Sequence, residues 1–508
     1  MNKILLLLSL LGLFLFSCDQ STELLDKSLD LSLIPQPKEL KLGKKSLLLT
    51  KSSKIYSPNA ELQGLVDVLR EDVEKLTGIT LESTSTLNRD ADILLTIDPN
   101  LSGETYQIDI SHVVSITGGN YRAVALAKNT LLQLLQKEEN SLAFPILSIS
   151  DQPDANFRGL MIDLARKWHS SETVLKLIDL AAFYKIKYLH LHFTDHQSFT
   201  FPTTSYPKLP SPDRHYTREE LERWEGYSQA RGVTIIPELE VPGHAMQFVS
   251  QYPEVFALED TAENKWIINM GSEEAYEAIA KISKEMMDVF QASPYFHIGG
   301  DEAYFHKVMD DPKVKAYVKK QGIKNDVHEL YRHFLIRMNE MIKANGKQMC
   351  VWEGFGPEGE IEIPKDIIVF EFETNRYLPD QLIKDGYTVV NTSWKPLYVV
   401  NNRKWAPETI DGWNIWRWEN WWDKAPSFTP IQLEKTDLII GAEMCAWEQP
   451  EEAEIPSLRR RVPAFVERIW NTEGNLSKEE LMRLIDKNDQ KLSKLIDDDR
   501  QEVAQLPD

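Results

Sequence analysis

From Phe157 onward, apolar runs of strand length alternate with stretches whose apolar positions recur every three or four residues. RGLMIDL leads to ETVLKLIDLAAFYK, IKYLHLHF to TREELERWEGYSQARG, VTIIPEL to EEAYEAIAKISKEMMDVF, and PYFHIGG to VHELYRHFLIRMNEMIKANG. QMCVWEG, DIIVFEF, YTVVNTS and LIIGAEMCAW continue the series, and SLRRRVPAFVERIW follows the last. Near-continuous apolar strands separated by amphipathic helices belong to a parallel sheet covered by helices. Eight such strands within 151–475 predict a (β/α)8 barrel with long loops. A doubly wound open sheet is the alternative, but it usually carries a glycine-rich turn after its first strand, and ARKWHS is not one. Upstream, residues 33–150 mix short β-rich runs (ADILLTI, YQIDIS, VVSITGG) with helical spacing in ELQGLVDVLREDVEKL and TLLQLLQ, which predicts a small α/β domain. Residues 476–508 are charged and helical in pattern, an end-cap for the barrel.

The first residues have a different character. Lys3 precedes an apolar run from Ile4 to Phe16, too short for a comfortable membrane span, which ends in Leu15-Phe16-Ser17-Cys18. This resembles a bacterial lipobox and implies a lipoprotein signal peptide over 1–17, lipidation at Cys18 and a polar tether over 18–32. The expected location is the cell envelope, periplasmic or at the outer-membrane surface, with membrane contact only through the lipid. Lys and Arg number 57 against 78 Asp and Glu, a net charge of −21, which argues against a nucleic-acid partner. Three cysteines exclude a disulfide scaffold. Cys350 and Cys445 fall inside predicted strands and read as small buried hydrophobes; a disulfide between them is the alternative in an exported chain.

Every predicted barrel strand ends in reactive or aromatic side chains. The first ends in Asp163 and Arg166, the second in His192, Asp195 and His196, the third in Glu238, Glu240 and His244. The fourth ends in His297, Asp301 and Glu302, the fifth in Trp352 and Glu353, the sixth in Glu371 and Glu373. The seventh leads to Trp394 and Tyr398, the eighth to Trp447 and Glu448. The carboxyl-terminal rim is where barrel active sites lie, and a purely structural barrel would not concentrate such residues there. Carboxylates, Arg and Trp suit a sugar: indoles stack on a pyranose face while charged groups take its hydroxyls.

The sharpest segment is His297-Ile298-Gly299-Gly300-Asp301-Glu302. Two glycines allow a tight turn at a strand end, and two adjacent carboxylates follow. Ordinary glycosidases set their carboxyl groups roughly 5–9 Å apart across the scissile bond. Neighbouring residues in extended chain point in opposite directions, so this pair suits substrate-assisted hydrolysis, in which the 2-acetamido oxygen of the sugar is the nucleophile; as a bare pattern it also fits a turn into a helix amino terminus, where Asp and Glu are favoured. One carboxyl then protonates the leaving oxygen, with a pKa raised by like charges and aromatic walls, while the other holds the acetamido N–H.

With RGLMIDLARKWHS, YLHLHFTDHQSF, IIPELEVPGHAM, HIGGDEAYF, VWEGF and GAEMCAWEQ in order, the chain resembles glycoside hydrolase family 20, the β-N-acetylhexosaminidases. The resemblance implies an exo-acting enzyme that removes terminal β-linked GlcNAc or GalNAc from glycans, a retaining oxazolinium mechanism, an oligosaccharide or glycoconjugate partner, and neither cofactor nor metal. It implies Glu302 as general acid/base, Asp301 as acetamido clamp, Arg166 on the outer hydroxyls, and Trp352 and Trp447 as walls. Tyr398 would bond the acetamido oxygen, and Asp195 and His244 would position the acid. The chain departs from the family where His196 replaces a second Asp, leaving the partner of His244 open, where Glu240 replaces Asp, and where Val400 replaces Asp or Asn. Glu371 or Phe372 stands for a Trp, and either Glu448 or Gln449 takes the place of an outer-hydroxyl Glu. Two other functions compete: a glycan-binding lipoprotein without catalysis, and a metal-dependent barrel hydrolase built on the pair His190 and His192. The Trp-rich stretch from Trp413 to Trp422 is expected as a loop over the pocket, with a local aromatic core as the alternative.

Overall fold

The computed structural model describes residues 22–27, 29–84, 92–259, 264–474 and 476–502. Cys18 lies outside them. The amino-terminal unit is a mixed sheet whose longest strands are Glu39–Leu49 and Ser141–Asp151, paired antiparallel. Helices Gln63–Thr77 and Tyr121–Leu134 pack against this sheet and each other. The expected tether is structured where it is described. Thr22–Leu25 adds an edge strand antiparallel to Glu39–Leu49, Leu29 is buried, and Asp30 faces Arg483 and Lys487 of the last helix. These partners lie far along the chain, so a polar composition alone concealed them.

The second unit is a closed parallel barrel. Its strands are β1 (Phe157–Asp163), β2 (Tyr188–His192), β3 (Thr234–Glu238), β4 (Tyr295–His297), β5 (Gln348–Trp352), β6 (Ile368–Glu371), β7 (Thr388–Asn391) and β8 (Ile439–Trp447). Each pairs in parallel with the next, and β8 closes on β1. A short strand, Tyr398–Val400, also lies parallel to β8 and is not one of the eight expected. The strands are buried on both faces, which is why they read as continuous apolar runs. Helices such as Arg218–Ala230 form the outer ring. That helix opens with a capping box, in which the Thr217 hydroxyl accepts from Glu220 N–H and the Glu220 carboxylate accepts from Thr217 N–H.

Inside the barrel, side chains stack in layers set by strand register. Asp163 pairs with His192, His192 with Glu238, and Glu238 with His297. A compact apolar cluster of Phe157, Met161, Tyr188, Ile236, Phe370 and Val390 lies within the same interior. Cys350 and Cys445 belong to it as free thiols, so the reading as small buried hydrophobes holds and the disulfide does not.

The amino-terminal unit sits beneath the barrel, at the end away from the polar rim. Glu104 meets Arg158 of β1 at 2.9 Å and Lys187 at 3.1 Å, while Trp470 Nε1 donates to Asp151 at 3.0 Å. The last helix, Lys478–Ile496, packs on both units, with Asn488 donating to the Ser32 carbonyl at 2.6 Å and Arg459 meeting Asp489 at 2.5 Å.

Candidate active site

β4 stops at His297 because the next residues cannot continue a strand. Gly299 and Gly300 have φ of +70° and +96°. A Cβ on Gly299 would lie 1.8 Å from Glu240 Oε2, and one on Gly300 would lie 2.6 Å from Val351 Cγ2, so only glycine fits. The turn is fixed by Gly300 N–H donating to Glu240 at 2.9 Å and by the Tyr331 hydroxyl donating to the Gly300 carbonyl. It turns Asp301 inward and leaves the Glu302 side chain 53% exposed. Glu302 has φ of +47°, and His244, Thr374 and Glu448 at neighbouring strand ends are also left-handed. Backbone strain in non-glycine residues is found at functional sites, and these are four of the eight such residues described.

A chain of charged groups runs inward from Glu302. His244 Nε2 lies 3.5 Å from the Glu302 carboxylate, and its Nδ1 lies 3.2 Å from Asp195. Asp195 also meets Arg166 Nη2 at 2.7 Å and His192 Nε2 at 3.2 Å. Asp163, at the end of β1, accepts from the Arg166 backbone N–H at 2.9 Å and from Glu448 N–H at 3.2 Å. Burial opposes the charge on His244, but its bonds to Asp195 and Glu302 outweigh that and hold it up at about 10. The hydrogen bond from His244 holds the Glu302 carboxyl below its ordinary range. This corrects the expectation of a raised pKa at the acid: like charges are outweighed by the imidazolium. The raised group is Asp301, lifted by burial and by Glu302 and Glu238, with His244 and Arg166 opposing.

Beneath this chain, Glu238 is a hub. It lies 2.5 Å from His192 Nδ1, 3.3 Å from His190 Nε2 and 3.0 Å from His297 Nδ1, and accepts from Trp352 Nε1 at 2.6 Å. His190 Nδ1 meets Glu443 at 3.0 Å. Burial works against both charges, yet the carboxylates bring His190 up to about 10 and His192 to about 9. Both imidazoles are committed to buried carboxylates, His190 to Glu238 and Glu443 and His192 to Glu238 and Asp195. The pair supports the site from below.

Four aromatic rings close a box beside Asp301. Trp352 meets Phe372 and Trp447, each at 5.9 Å; Phe372 stacks on Tyr398 at 6.2 Å, and Tyr398 meets Trp447 at 6.4 Å. Trp394 backs Tyr398 at 4.5 Å. Arg166 lies over Trp447 at 4.7 Å with its Nε 3.8 Å from Glu448. The structure therefore brings together Arg166, Asp195, His244, Asp301, Glu302, Trp352, Tyr398, Trp447 and Glu448.

The departures resolve individually. Asp195 is the carboxylate at His244 Nδ1, and the His196 ring stacks on that imidazole at 4.9 Å. Burial and the charge of His244 push His196 down to about 4, so it brings no second charge. Phe372 fills the place where a Trp was expected, while Glu371 is buried and accepts from Thr374 N–H at 2.7 Å. Gln449 is buried, donating to the Val399 and Trp447 carbonyls, which leaves Glu448 at the rim. Glu240 braces the glycine turn. Val400 packs beside Trp447. The Trp-rich stretch divides: Trp413 and Trp418 are buried, the latter donating to the Glu371 carbonyl at 3.2 Å, whereas Trp421 is exposed and meets Trp394 edge-on at 5.8 Å. Half of it is core because the chain turns back there as a small hairpin, Arg417–Trp418 with Ile431–Gln432.

Asp163, Glu238 and Trp394 stand at predicted strand ends without an assigned role, and Arg376 is not among the expected residues. Arg376 stands 3.8 Å from Glu373 and its charge helps to lower the Glu302 carboxyl. For Glu238 the available signal was the alternation in Glu238-Leu239-Glu240, which places two carboxylates on one face of the chain.

The catalytic-domain model of glycosyl hydrolase family 20 matches residues 156–473, and the model of that family's domain 2 matches residues 30–152. A beta-hexosaminidase subunit beta of Entamoeba histolytica is 27% identical over 438 residues, covering 79% of this chain and 76% of its own. The human beta-hexosaminidase subunit beta is 26% identical over 390 residues, covering 74% and 68%. A family 20 exo beta-N-acetylglucosaminidase of Vibrio harveyi, solved with N-acetylglucosamine, shares the fold with a TM-score of 0.78 at 23% identity, covering 94% and 80%. The chitobiase of Flavobacterium johnsoniae gives 0.76 at 25% identity, covering 92% and 73%. With its blocks matched across the barrel and the carboxylate pair seated at the barrel mouth, this chain belongs to glycosyl hydrolase family 20.

Proposed function

We propose that the chain is an exo-acting β-N-acetylhexosaminidase that releases terminal β-linked GlcNAc or GalNAc by substrate-assisted, retaining catalysis. The observation that carries this is the Asp301–Glu302 pair: one carboxyl turned inward beside a box of aromatic rings, its neighbour turned outward against a protonated histidine. Two carboxyl groups so placed do not straddle a bond, so the nucleophile comes from the sugar.

The roles follow from the surroundings. Trp352, Phe372, Tyr398 and Trp447 wall the acetamido group. Asp301, ionised, accepts its N–H, raises the nucleophilicity of its oxygen and offsets the charge of the oxazolinium ring. Tyr398 donates to that oxygen. Arg166, held by Asp163 and Asp195, takes the outer hydroxyls with Glu448. Glu302 and His244 share one proton. In the open site it resides on His244. When the sugar covers Glu302 and excludes water, the carboxylate loses solvation and the proton passes to it, ready for the leaving oxygen. After the leaving group departs, Glu302 takes a proton from water, which opens the ring with retained configuration. Hydrolysis of p-nitrophenyl β-N-acetylglucosaminide tests the reading: Glu302→Gln should lose activity by about 10²–10⁴-fold, and near-wild-type turnover would refute the assignment.

We also propose that the protein is anchored to the cell envelope through Cys18. The support is the sequence Leu15-Phe16-Ser17-Cys18 after its apolar run. Cys18→Ala should move the enzyme from the membrane fraction to the soluble fraction and abolish incorporation of labelled fatty acid; unchanged partitioning would refute the anchor.

A further inference from the structure

Arg166 and Glu448 follow β1 and β8, which are neighbouring strands, and Arg166 Nε lies 3.8 Å from the Glu448 carboxylate. A cation and a carboxylate that share the hydroxyls of one sugar must keep a fixed separation, yet each is carried by a loop. Behind them the two loops are fastened to each other. His169, three residues past Arg166, has its Nε2 3.0 Å from Glu454, six residues past Glu448, and both side chains are fully buried. Between them, Glu451 accepts from the Ser170 N–H at 2.8 Å and from the Ser170 and Thr173 hydroxyls, each at 2.5 Å. The backbone of His169 is fixed in turn: the Tyr216 hydroxyl donates to its carbonyl at 2.7 Å, and Trp168 stacks on the Tyr216 ring at 4.4 Å.

The second ring nitrogen settles the direction of the bond. His169 Nδ1 lies 3.1 Å from the Lys167 carbonyl, which can only accept, so Nδ1 carries a hydrogen. Nε2 and the Glu454 carboxyl then hold one further proton between them. Glu454 Oε1 has no partner among the described residues, so its carboxyl is committed to the histidine alone. A buried ion pair adds little stability over apolar side chains of similar volume. A charge-assisted bond does fix distance and angle, which apolar packing leaves looser.

We propose that His169 and Glu454 are positioning residues, whose buried bond sets the spacing of Arg166 and Glu448 and so the grip on the outer hydroxyls of the terminal sugar. The proposal rests on the reading of Arg166 and Glu448 as the clamp for those hydroxyls. Its test compares p-nitrophenyl β-N-acetylglucosaminide with the 3,4-dideoxy analogue, which offers that clamp nothing to hold. His169→Leu/Glu454→Leu should keep Tm near or above the wild-type value, because the buried charges leave together. It should nevertheless cut the preference for the parent substrate, as a ratio of kcat/KM values, about tenfold, with the analogue hydrolysed as by wild type. Glu454→Gln can donate an amide N–H to Nε2 of a neutral His169, so it should keep the preference. Glu451→Ala, at the partly exposed edge of the same contact, leaves the buried pair intact and should lower the preference in the same direction. Full preference retained in the double variant or in Glu451→Ala, or activity lost equally on both substrates, would overturn the proposal. A wild-type enzyme that hydrolyses both substrates alike would instead overturn the clamp itself, and the positioning role with it.

Discussion

Glu302 has to satisfy two demands: it must give up a proton to a leaving oxygen, yet it stands half in solvent against an imidazolium that keeps it ionised. Sharing one proton with His244 reconciles them, because the pair keeps that proton until the histidine releases it near its value of about 10. As pH rises through that value the proton is lost and activity falls. In His244→Asn the carboxyl has no partner to store its proton, so the alkaline arm of kcat/KM should move toward acid pH and activity at neutral pH should drop. A pH–rate profile checks this, and an unmoved alkaline arm would contradict it. On the acid side Asp301 must be charged. Its pKa is raised, so activity should be lost as pH falls through that raised value. Asp301→Asn should remove this acid limb and cut kcat by about 10²-fold or more, which the same profile would show.

Among elements, the turn after β4 decides whether the two carboxyls face opposite ways. Gly300→Ala places a Cβ against Val351 at a φ of +96°, so the variant should lose about 1–3 kcal/mol of stability and most of its turnover. Thermal unfolding and steady-state assays together check this. That turn was legible only in company: alone, paired glycines before paired acids also suit the start of a helix, and the five other family blocks around them decided between the two. The barrel was legible for a separate reason: strands buried on both faces must be apolar throughout, as in Phe157–Asp163 and Tyr188–His192. What escaped depends on partners far along the chain. The Trp413–Trp422 stretch gives no local sign that Trp418 is buried beneath the Glu371 carbonyl while Trp421 faces solvent. Nor does Gln449 show that it turns inward to cap backbone carbonyls and leaves Glu448 at the mouth. The protonation of Glu302 could not be read either, since His244 stands on another strand end.

Across the whole molecule, the amino-terminal unit is fastened beneath the barrel by charges withdrawn from water. Burial opposes ionisation of Glu104, but Arg158, Lys187 and Arg122 outweigh it and bring its carboxyl down to about 2. A carboxyl lowered from 4.5 to about 2 contributes about 3 kcal/mol at neutral pH. Because the folded value lies below the unfolded one, that contribution is complete above about pH 4.5 and is lost as pH falls toward 2. Glu104→Gln should therefore lower the urea midpoint at pH 7, with the gap from wild type narrowing through that acid window. A gap independent of pH would mean that the ion cluster is not what fastens the two units. Among the described residues, that unit's contacts with the barrel lie at Arg158, Lys187 and Trp470, away from the mouth, so the variant should keep its kcat where it remains folded.

The account depends most on the acetamido oxygen being the nucleophile. Replacing the hydrogens of the acetyl methyl by one, two and three fluorines barely alters the shape of a p-nitrophenyl N-acyl-glucosaminide while draining electrons from that oxygen. If the oxygen attacks the anomeric carbon, log kcat should fall steadily with each fluorine added; a flat series would contradict substrate assistance and return the search to a nucleophile on the protein.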